Sequence, residues 1–344
     1  MLSQLLDITI IGGGPAGLYT AFYAGLRGMK VRIIEYQDKL GGKVNLYPEK
    51  IVWDIGGIAP KPAGEIVDDM ITQGLTFEPE VHLSEKVMNI TKKEEQLFEV
   101  ATDQNTYLSK SVIIAIGSGI ISPMKLAIEG AERYEVANLH YVVPSLSRFK
   151  DRRVLISGGG NAAVDWAYAI APFAAHVSIL CRKDDFKGHE EMVRKLDDRG
   201  VEKIMSHSIH SLQAEGDAIE SVIIQHCRTR EPREIAVDDV IINHGFHMES
   251  DLLDQCDIKL ERKDNFYIKG HADSSTQVPG VYAVGDILSH DSKVQLMAGC
   301  FHDAANAANL AKTYIDPTAS EAGTVSSHNE VFKEKNEELL SNML

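Results

Sequence analysis

Short apolar runs, a glycine turn and an alanine- and leucine-containing stretch open the chain in a fixed order. Residues 8–11 read Ile-Thr-Ile-Ile, a β-branched run typical of a strand buried in a parallel sheet. Glycines crowd residues 12–17, and residues 18–27 then predict a helix. Val31–Ile34 is the next apolar run. This order of strand, glycine turn, helix and strand is the beginning of a βαβ unit.

The same order recurs in the second part of the chain. Residues 154–156 predict a strand, residues 158–160 a glycine turn, residues 161–171 a helix and His176–Leu180 the following strand. The repeat therefore predicts two α/β domains with mainly parallel sheets.

Further runs complete each half of the repeat. Residues 111–117 and 239–245 are buried-strand patterns that end in glycine, and residues 98–101 and 221–225 alternate as antiparallel hairpins do. The fold class that we expect is α/β, with two Rossmann-like three-layer domains.

Composition and charge exclude several classes of protein. The 344 residues include 44% hydrophobic and 25% charged residues, ordinary values for a globular chain of about two domains. The net charge of −15 argues against a general binder of nucleic acid or anionic membrane. No apolar run approaches the ~18 residues of a membrane span, and the N-terminus lacks the features of a signal peptide.

Four cysteines stand far apart in the sequence, at positions 181, 227, 256 and 300. No pair has the C-x-x-C spacing of a redox dithiol or a zinc site, so no metal site is predicted. Free thiols in a chain of this size are typical of a reducing compartment. We therefore expect a soluble cytoplasmic protein.

The first glycine turn satisfies G-x-G-x-x-G through Gly12, Gly14 and Gly17. In a dinucleotide site these glycines permit the tight turn, the approach of a pyrophosphate and close packing of helix on strand. Glu35 closes the second strand, where a carboxylate accepts ribose hydroxyls. The alternative is a turn used only for packing. The residues expected at this site are Gly12, Gly14, Pro15, Ala16, Gly17 and Glu35.

The second turn has the G-x-G-x-x-A variant, and its following strand ends in cations rather than an acid. Arg182 and Lys183 suit a 2′-phosphate and so favour NADP over NAD. The alternative is a solvated strand end that Asp184 and Asp185 neutralise. The residues expected here are Gly158, Gly160, Asn161, Ala162, Arg182 and Lys183, with Ala163 as the third small residue of the motif.

A third motif, residues 276–286, is an apolar strand that ends in Gly285-Asp286. With it the chain resembles the flavoprotein disulfide reductases with two dinucleotide-binding domains, above all the low-molecular-weight thioredoxin reductases. The resemblance implies FAD at the first turn, with Asp286 on its ribityl chain, and the nicotinamide coenzyme at the second. The chain departs from that group in one respect: residues 139–149 and 41–44 contain no cysteine. Without a dithiol, electrons must leave the flavin directly.

In lacking this dithiol, the chain resembles the ferredoxin–NADP reductases of thioredoxin reductase type. Four segments add to the resemblance: Gly41-Gly42, Tyr47-Pro48-Glu49-Lys50, Asp54-Ile55-Gly56-Gly57 and Asn138-Leu139-His140-Tyr141. The resemblance implies that Tyr47 stacks on one flavin face and that His328, often from the partner subunit, covers the other. The alternatives are an ordinary half-buried aromatic residue and a solvated tail residue. Lys43 replaces the glutamine usual after Gly-Gly. The further FAD contacts implied are Lys43, Tyr47, Val87, Ile121, Asp286 and Ser327.

Three segments outside these motifs carry weaker predictions. Residues 293–310 predict a helix whose positive end points at the flavin, or one that merely packs on the domain. Residues 316–330 read as a loop and residues 332–344 as a short helix. The lysines at positions 39, 43, 50 and 61, which we call the lysine collar, either dock an acidic carrier protein or form a solvated face.

The resemblance predicts a division into domains and a reaction. An FAD-binding domain of residues 1–118 and 247–344 is interrupted by an NADP-binding domain of residues 119–246. Electrons pass from NADPH through FAD to ferredoxin or flavodoxin, in a homodimer that binds neither nucleic acid nor membrane. The alternatives are a reductase of a low-molecular-weight disulfide or an NADPH oxidase on the same scaffold, and a non-catalytic flavin redox sensor.

Overall fold

The computed structural model describes residues 4–143, 145–249, 251–323 and 328–343. The helices are α1 (Pro15–Leu26), α2 (Ala63–Gly74), α3 (Asn161–Ile170), α4 (Glu190–Asp198), α5 (Asp251–Gln255), α6 (Met297–Ile315) and α7 (Lys333–Met343). The strands of the first third are β1 (Leu6–Ile11), β2 (Val31–Ile34), β3 (Ile51–Val52), β4 (Lys61–Pro62), β5 (Glu80–His82), β6 (Val87–Glu94), β7 (Leu97–Thr102) and β8 (Thr106–Ile114).

The middle and last thirds add shorter strands. They are β9 (Ile120–Pro123), β10 (Leu139–His140), β11 (Arg153–Ser157), β12 (His176–Leu180), β13 (Glu202–Ile204), β14 (His207–Glu215), β15 (Ala218–His226), β16 (Pro232–Ala236), β17 (Asp239–Ile242), β18 (Phe246–Glu249), β19 (Arg262–Lys263), β20 (Tyr267–Lys269), β21 (Val281–Ala283) and β22 (Leu288–Ser289).

The chain divides into two compact units. The first comprises Met1–Asn45, Lys50–Ile120 and Met248–Leu344, and the second comprises Leu46–Glu49 and Ile121–His247. Strands β9 and β18, which lie where the chain crosses between units, pair with each other in a two-stranded sheet.

The first unit is built on a seven-stranded sheet in the order β5-β2-β1-β8-β7-β6, with β21 also paired to β8. Pairing is parallel from β5 through β2 and β1 to β8 and β21, whereas β6, β7 and β8 are antiparallel. Alternate residues of a strand face opposite sides of the sheet, so Ile33 and Ile34 belong to different hydrophobic clusters. Helices α1 and α6 pack together against one face.

The second unit repeats this plan on a smaller scale. Its five strands run parallel in the order β10-β17-β11-β12-β13, and a separate antiparallel sheet joins β14, β15 and β16. Adjacent residues of β11 again enter different clusters, because Ile156 packs with helix α3 and Leu155 packs on the opposite side. Both units therefore confirm the predicted α/β class with layered, Rossmann-like sheets.

The predicted helices and strands differ from the observed ones mainly at their ends. The largest difference concerns α6, which begins at Met297 and not at Lys293, and runs on to Ile315. Residues 290–293 form a turn instead, closed by the Lys293 N–H on the His290 carbonyl. The predicted terminal helix is confirmed as α7. In the part of the chain that the structure describes, no helix combines the length and apolarity that crossing a membrane requires.

Candidate functional site

Gly12 and Gly17 are demanded by packing within the first unit. Gly12 has a φ of +108°, and a Cβ on it would stand 2.5 Å from the Ala115 carbonyl oxygen. A Cβ on Gly17 would stand 1.9 Å from the carbonyl oxygen of Gly12. Helix α1 can therefore cross the end of β1 closely only with glycine at both positions.

Gly14 is different, because none of the described residues requires a glycine at that position. Its φ of −78° suits any residue, and a Cβ would meet only the Cα of Gly42, at 3.7 Å. Gly14 caps helix α1, and Pro15 is the first helical residue, so backbone N–H groups at a positive helix end face this open space. A glycine that leaves room beside a helix N-terminus fits the approach of a pyrophosphate.

Glu35 lies beneath the same turn. The residue is 8% exposed, and its Oε2 accepts the Gly13 N–H at 2.7 Å while Oε1 accepts the Gln37 N–H at 2.8 Å. Burial raises the pKa of the Glu35 carboxyl, and the N–H donors of Gln37 and Gly13 act in the opposite direction. The structure therefore brings the predicted ribose-binding carboxylate to the glycine turn.

Asp286 is brought to the start of α1 by the glycine before it. Gly285 has a φ of +75°, and a Cβ on it would stand 2.8 Å from the Cβ of Ala16. The Asp286 carboxylate accepts the Lys43 ammonium at 2.5 Å, with the two side chains 25% and 45% exposed. The substitution of lysine for the usual glutamine thus places a cation on the predicted ribityl ligand.

Two buried residues that sequence reasoning missed, Lys293 and Asp303, fix the backbone beside Asp286. Asp303 of α6 accepts the Gly285 N–H at 2.9 Å and forms an ion pair with Lys293, and the side chains of Lys293 and Asp303 are 6% and 4% exposed. The sequence signal that could have indicated Asp303 is an acidic residue on the buried, otherwise apolar face of α6. That face also carries Cys300, Ala304, Ala307, Ala308 and Ala311. The Lys293–Asp303 pair fixes the peptide that precedes Asp286.

The second glycine turn has the same construction. A Cβ on Gly158 would stand 2.4 Å from the Asn243 carbonyl oxygen, whereas a Cβ on Gly160 would have nothing within 4 Å. Gly160 has a φ of −93° and caps α3, whose first residues, Asn161 and Ala162, are exposed. The Asn161 side chain accepts the His189 N–H at 2.9 Å. The open second glycine again fits a phosphate group at a helix N-terminus.

The cations beyond β12 form a cluster of three. Arg182 and Lys183 are exposed, and the pKa of Lys183 is lowered chiefly by Lys187 and also by Arg182, because like charges oppose its protonation. Sequence reasoning missed Lys187, whose backbone N–H donates a hydrogen bond to the Gly159 carbonyl at 2.7 Å.

The neutralising partners considered from the sequence do not engage this cluster. Within the described ranges, neither Asp184 nor Asp185 forms an ion pair with Arg182, Lys183 or Lys187. Asp184 instead accepts the hydroxyl of Ser206. Neither aspartate therefore occupies the position that an anionic ligand would take beside the three cations.

Other predicted contacts lie elsewhere. Tyr47 is half-buried and packs against the hydrophobic cluster of the second unit that contains Phe149, not among the residues of the first turn. His328 is exposed, and its neighbour Asn329 donates to the Leu26 carbonyl, at the carboxyl end of α1. That is the end of α1 opposite the glycine turn.

The remaining predicted FAD contacts are only partly described. Val87 is buried at the start of β6. Ile121 belongs to β9, and neither its side chain nor Ser327 lies among the described residues. Cys181, Cys256 and Cys300 are buried thiols and Cys227 is partly exposed. The described residues contain no cluster of three or more metal-ligating side chains.

The chain is similar to known proteins at the level of a broad family. The family model described as pyridine nucleotide-disulphide oxidoreductase matches residues 6–308. Among solved structures, the thioredoxin reductase of T. acidophilum is 25% identical with a TM-score of 0.72, over 92% of this chain and 100% of that one. A thioredoxin reductase of Lactococcus lactis, 24% identical with a TM-score of 0.71 over 90% of this chain and 99% of that one, shares the fold.

Curated relatives are much more similar in sequence. A ferredoxin–NADP reductase of Staphylococcus saprophyticus is 53% identical over 98% of this chain and 99% of its own length. Ferredoxin–NADP reductase 2 of Exiguobacterium sibiricum is 51% identical over 99% of this chain and 98% of its own. The chain therefore belongs to the pyridine nucleotide-disulphide oxidoreductase family and, within it, to the ferredoxin–NADP reductases.

Proposed function

We propose that the protein transfers electrons from NADPH through FAD to ferredoxin or flavodoxin. The observation that carries the proposal is the pair of glycine turns, each with an open second glycine beside a helix N-terminus. Glu35 lies under the first turn and three cations follow the strand of the second. This difference supports FAD in the first unit and NADPH in the second, with domains of residues 1–118 and 247–344 and of residues 119–246.

FAD, when bound, takes up two electrons from NADPH together and passes them on singly. The residues of the chain bind and orient the two cofactors. The N–H groups at the start of α1 would hold the pyrophosphate, Glu35 the ribose hydroxyls and Asp286 the ribityl chain. Arg182, Lys183 and Lys187 would hold the 2′-phosphate of NADPH, which NADH lacks.

The nature of the acceptor follows from the cysteines. The four are separate in sequence without a C-x-x-C pair, so the chain has no candidate dithiol relay comparable with that of a thioredoxin reductase. An external one-electron carrier must therefore approach the flavin directly. The relatives named ferredoxin–NADP reductase support ferredoxin in this role.

Dimerisation and location complete the proposal. In one chain the segment after His328 packs at the far end of α1, where Phe332 contacts Phe22 and Phe77. We therefore assign the covering of one flavin face to His328 of a second copy in a homodimer, and the other face to Tyr47. Four thiols without a predicted pairing support a cytoplasmic location.

The test is reconstitution with FAD followed by anaerobic reduction with NADPH. The wild-type protein is expected to reduce a purified bacterial ferredoxin or flavodoxin and to leave thioredoxin oxidised. The Asp286→Ala variant should lose FAD on gel filtration, because it lacks a charge-assisted hydrogen-bond acceptor. Efficient reduction of thioredoxin or of a low-molecular-weight disulfide, or a flavin that NADPH cannot reduce, would overturn the proposal.

A further inference from the structure

A cationic groove lies on the first unit, beside strands β19, β20 and β22. It has a volume of about 730 Å³ and is separate in its lining from the glycine turn, Glu35 and Asp286. Its lining residues are Lys263, Lys269, Gly270, His271, Ala272, Ser289, His290, Asp291 and Ser292. Two lysines and two histidines thus face one carboxylate, in a chain whose net charge is −15.

The two lysines of this groove are exposed to solvent. Lys263 and Lys269 form no ion pair and no side-chain hydrogen bond with the described residues, whereas Lys293 and Lys43 nearby in the same unit are paired with aspartates. Two lysines that line one groove, and that the described residues leave without an ion pair, create a positive potential that attracts carboxylates.

His290 adds an unsatisfied polar atom to the same groove. Its Nδ1 accepts the Ser292 N–H at 3.2 Å, which leaves Nε2 as the donor of a neutral ring. Nε2 is buried and has no hydrogen-bond partner in the described part of the chain. A buried donor without a partner is costly, and an acceptor entering the groove would satisfy it.

The groove is close in the chain to the predicted ribityl ligand. Ser289 follows Asp286 by three residues, and an extended chain covers at most about 3.5 Å per residue. The Cα atoms of the two residues are therefore within roughly 11 Å of each other. A macromolecule seated in the groove would lie next to the flavin-binding corner of the first unit.

The lysine collar considered from the sequence is a weaker docking surface. The Lys43 ammonium is paired with Asp286, and Lys61 is paired with Asp69. Ion pairing neutralises part of the positive potential that would attract an acidic carrier.

We propose that the groove docks an acidic segment of the protein electron acceptor, with Lys263 and Lys269 attracting its carboxylates and His290 donating to one of them. The proposal rests on the proposed function, because it assumes a protein acceptor. It adds the place and the chemistry of docking.

The experiment compares two double variants with equal loss of charge. Lys263→Gln/Lys269→Gln removes the ammonium groups of the groove. Lys30→Gln/Lys312→Gln is the control, because Lys30 precedes β2 at the edge of the sheet opposite Glu35 and Lys312 lies in the last turn of α6. Both proteins are assayed as FAD-loaded enzyme with purified ferredoxin at low and high salt, and with ferricyanide, an acceptor that needs no docking.

Losing two exposed attractive charges should raise the KM for ferredoxin roughly five- to tenfold at low salt in the groove variant, with kcat nearly unchanged. The rise should shrink at high salt, and ferricyanide reduction should equal that of the wild type. A decameric glutamate peptide should inhibit ferredoxin reduction by the wild-type protein more strongly than by the groove variant. His290→Gln should raise the KM for ferredoxin less than the loss of the two lysines.

Equal KM values for the groove and control variants would overturn the docking proposal while leaving the reductase function intact. A change of oligomeric state in the groove variant alone, measured by sedimentation, would assign the groove to a second copy of the chain and would also overturn it. A wild-type protein that reduces ferricyanide but neither ferredoxin nor flavodoxin would instead contradict the proposed function.

Discussion

The buried pair of Lys293 and Asp303 allows a test of how the backbone before Asp286 is fixed beside the first glycine turn. Replacing Lys293 with methionine keeps an unbranched apolar side chain of nearly the same length and removes its charge. Both side chains are almost inaccessible to solvent, at 6% and 4%. Among the described residues, the Asp303 carboxylate would be left buried with the Gly285 N–H as its one partner. Removing one partner of a buried ion pair costs about 3–5 kcal/mol. The Lys293→Met variant should lose that much of its free energy of unfolding.

The measurement is urea denaturation of the FAD-free protein, followed by titration with FAD through quenching of flavin fluorescence. Lys61→Met is the matched control, because the pair of Lys61 and Asp69 is exposed at 28% and 64%. An exposed pair contributes about 0–1 kcal/mol, so the control should unfold almost as the wild type does. The Lys293→Met variant should also bind FAD more weakly, since its Gly285-Asp286 peptide is less firmly placed.

Asp303→Asn separates the two roles of Asp303. An amide oxygen can still accept the Gly285 N–H but leaves the Lys293 ammonium buried without a counter-charge. We therefore expect a loss of stability similar to that of Lys293→Met. If Lys293→Met and Lys61→Met were equally stable and bound FAD equally well, the reasoning from burial would be refuted.

Two further predictions concern the second turn and the thiols. Replacing Arg182, Lys183 and Lys187 together with glutamine should raise the KM for NADPH about tenfold or more and hardly change that for NADH, because only NADPH carries the 2′-phosphate; equal losses in steady-state assays would contradict the assignment. At pH 8 an aromatic disulfide reagent should titrate Cys227 first, since Cys300 is buried and burial raises its pKa to about 11; rapid reaction of four thiols in the native protein would be the opposite result.

The parts of the fold that could be predicted are those that local sequence determines. Strand Val31–Ile34 and strand His176–Leu180 are observed with the predicted limits, because an uninterrupted apolar run between turn residues leaves few other conformations. The glycine turns could be predicted equally well, since a Cβ at Gly12 or Gly158 would collide with the backbone carbonyl of the residue that follows β8 or β17. A steric requirement of this kind is met by one residue type at one position, so the sequence alone indicates it.

What could not be predicted depends on contacts between distant segments. The Lys43–Asp286 pair joins residues 243 positions apart, and no pattern along the chain indicates it. The start of α6 was predicted too early because residues 293–296 favour no other structure on their own. In the structure Lys293 is drawn into its pair with Asp303, and Leu296 is extended before the helix begins. Lys187 was missed for the same reason, since only the bond of its N–H to Gly159 brings it to the turn.

The two lysine–aspartate pairs at the first site differ in a way that suits ligand binding. The pair of Lys43 and Asp286 is 45% and 25% exposed, so a competing hydroxyl could take over Asp286 at a cost of about 1 kcal/mol or less. The pair of Lys293 and Asp303 is buried, and breaking it costs several times more. Gly285 therefore stays in place while Asp286 can exchange one partner for another. A site that must accept a cofactor after folding needs both properties: a backbone that does not move and a carboxylate whose partner can be displaced.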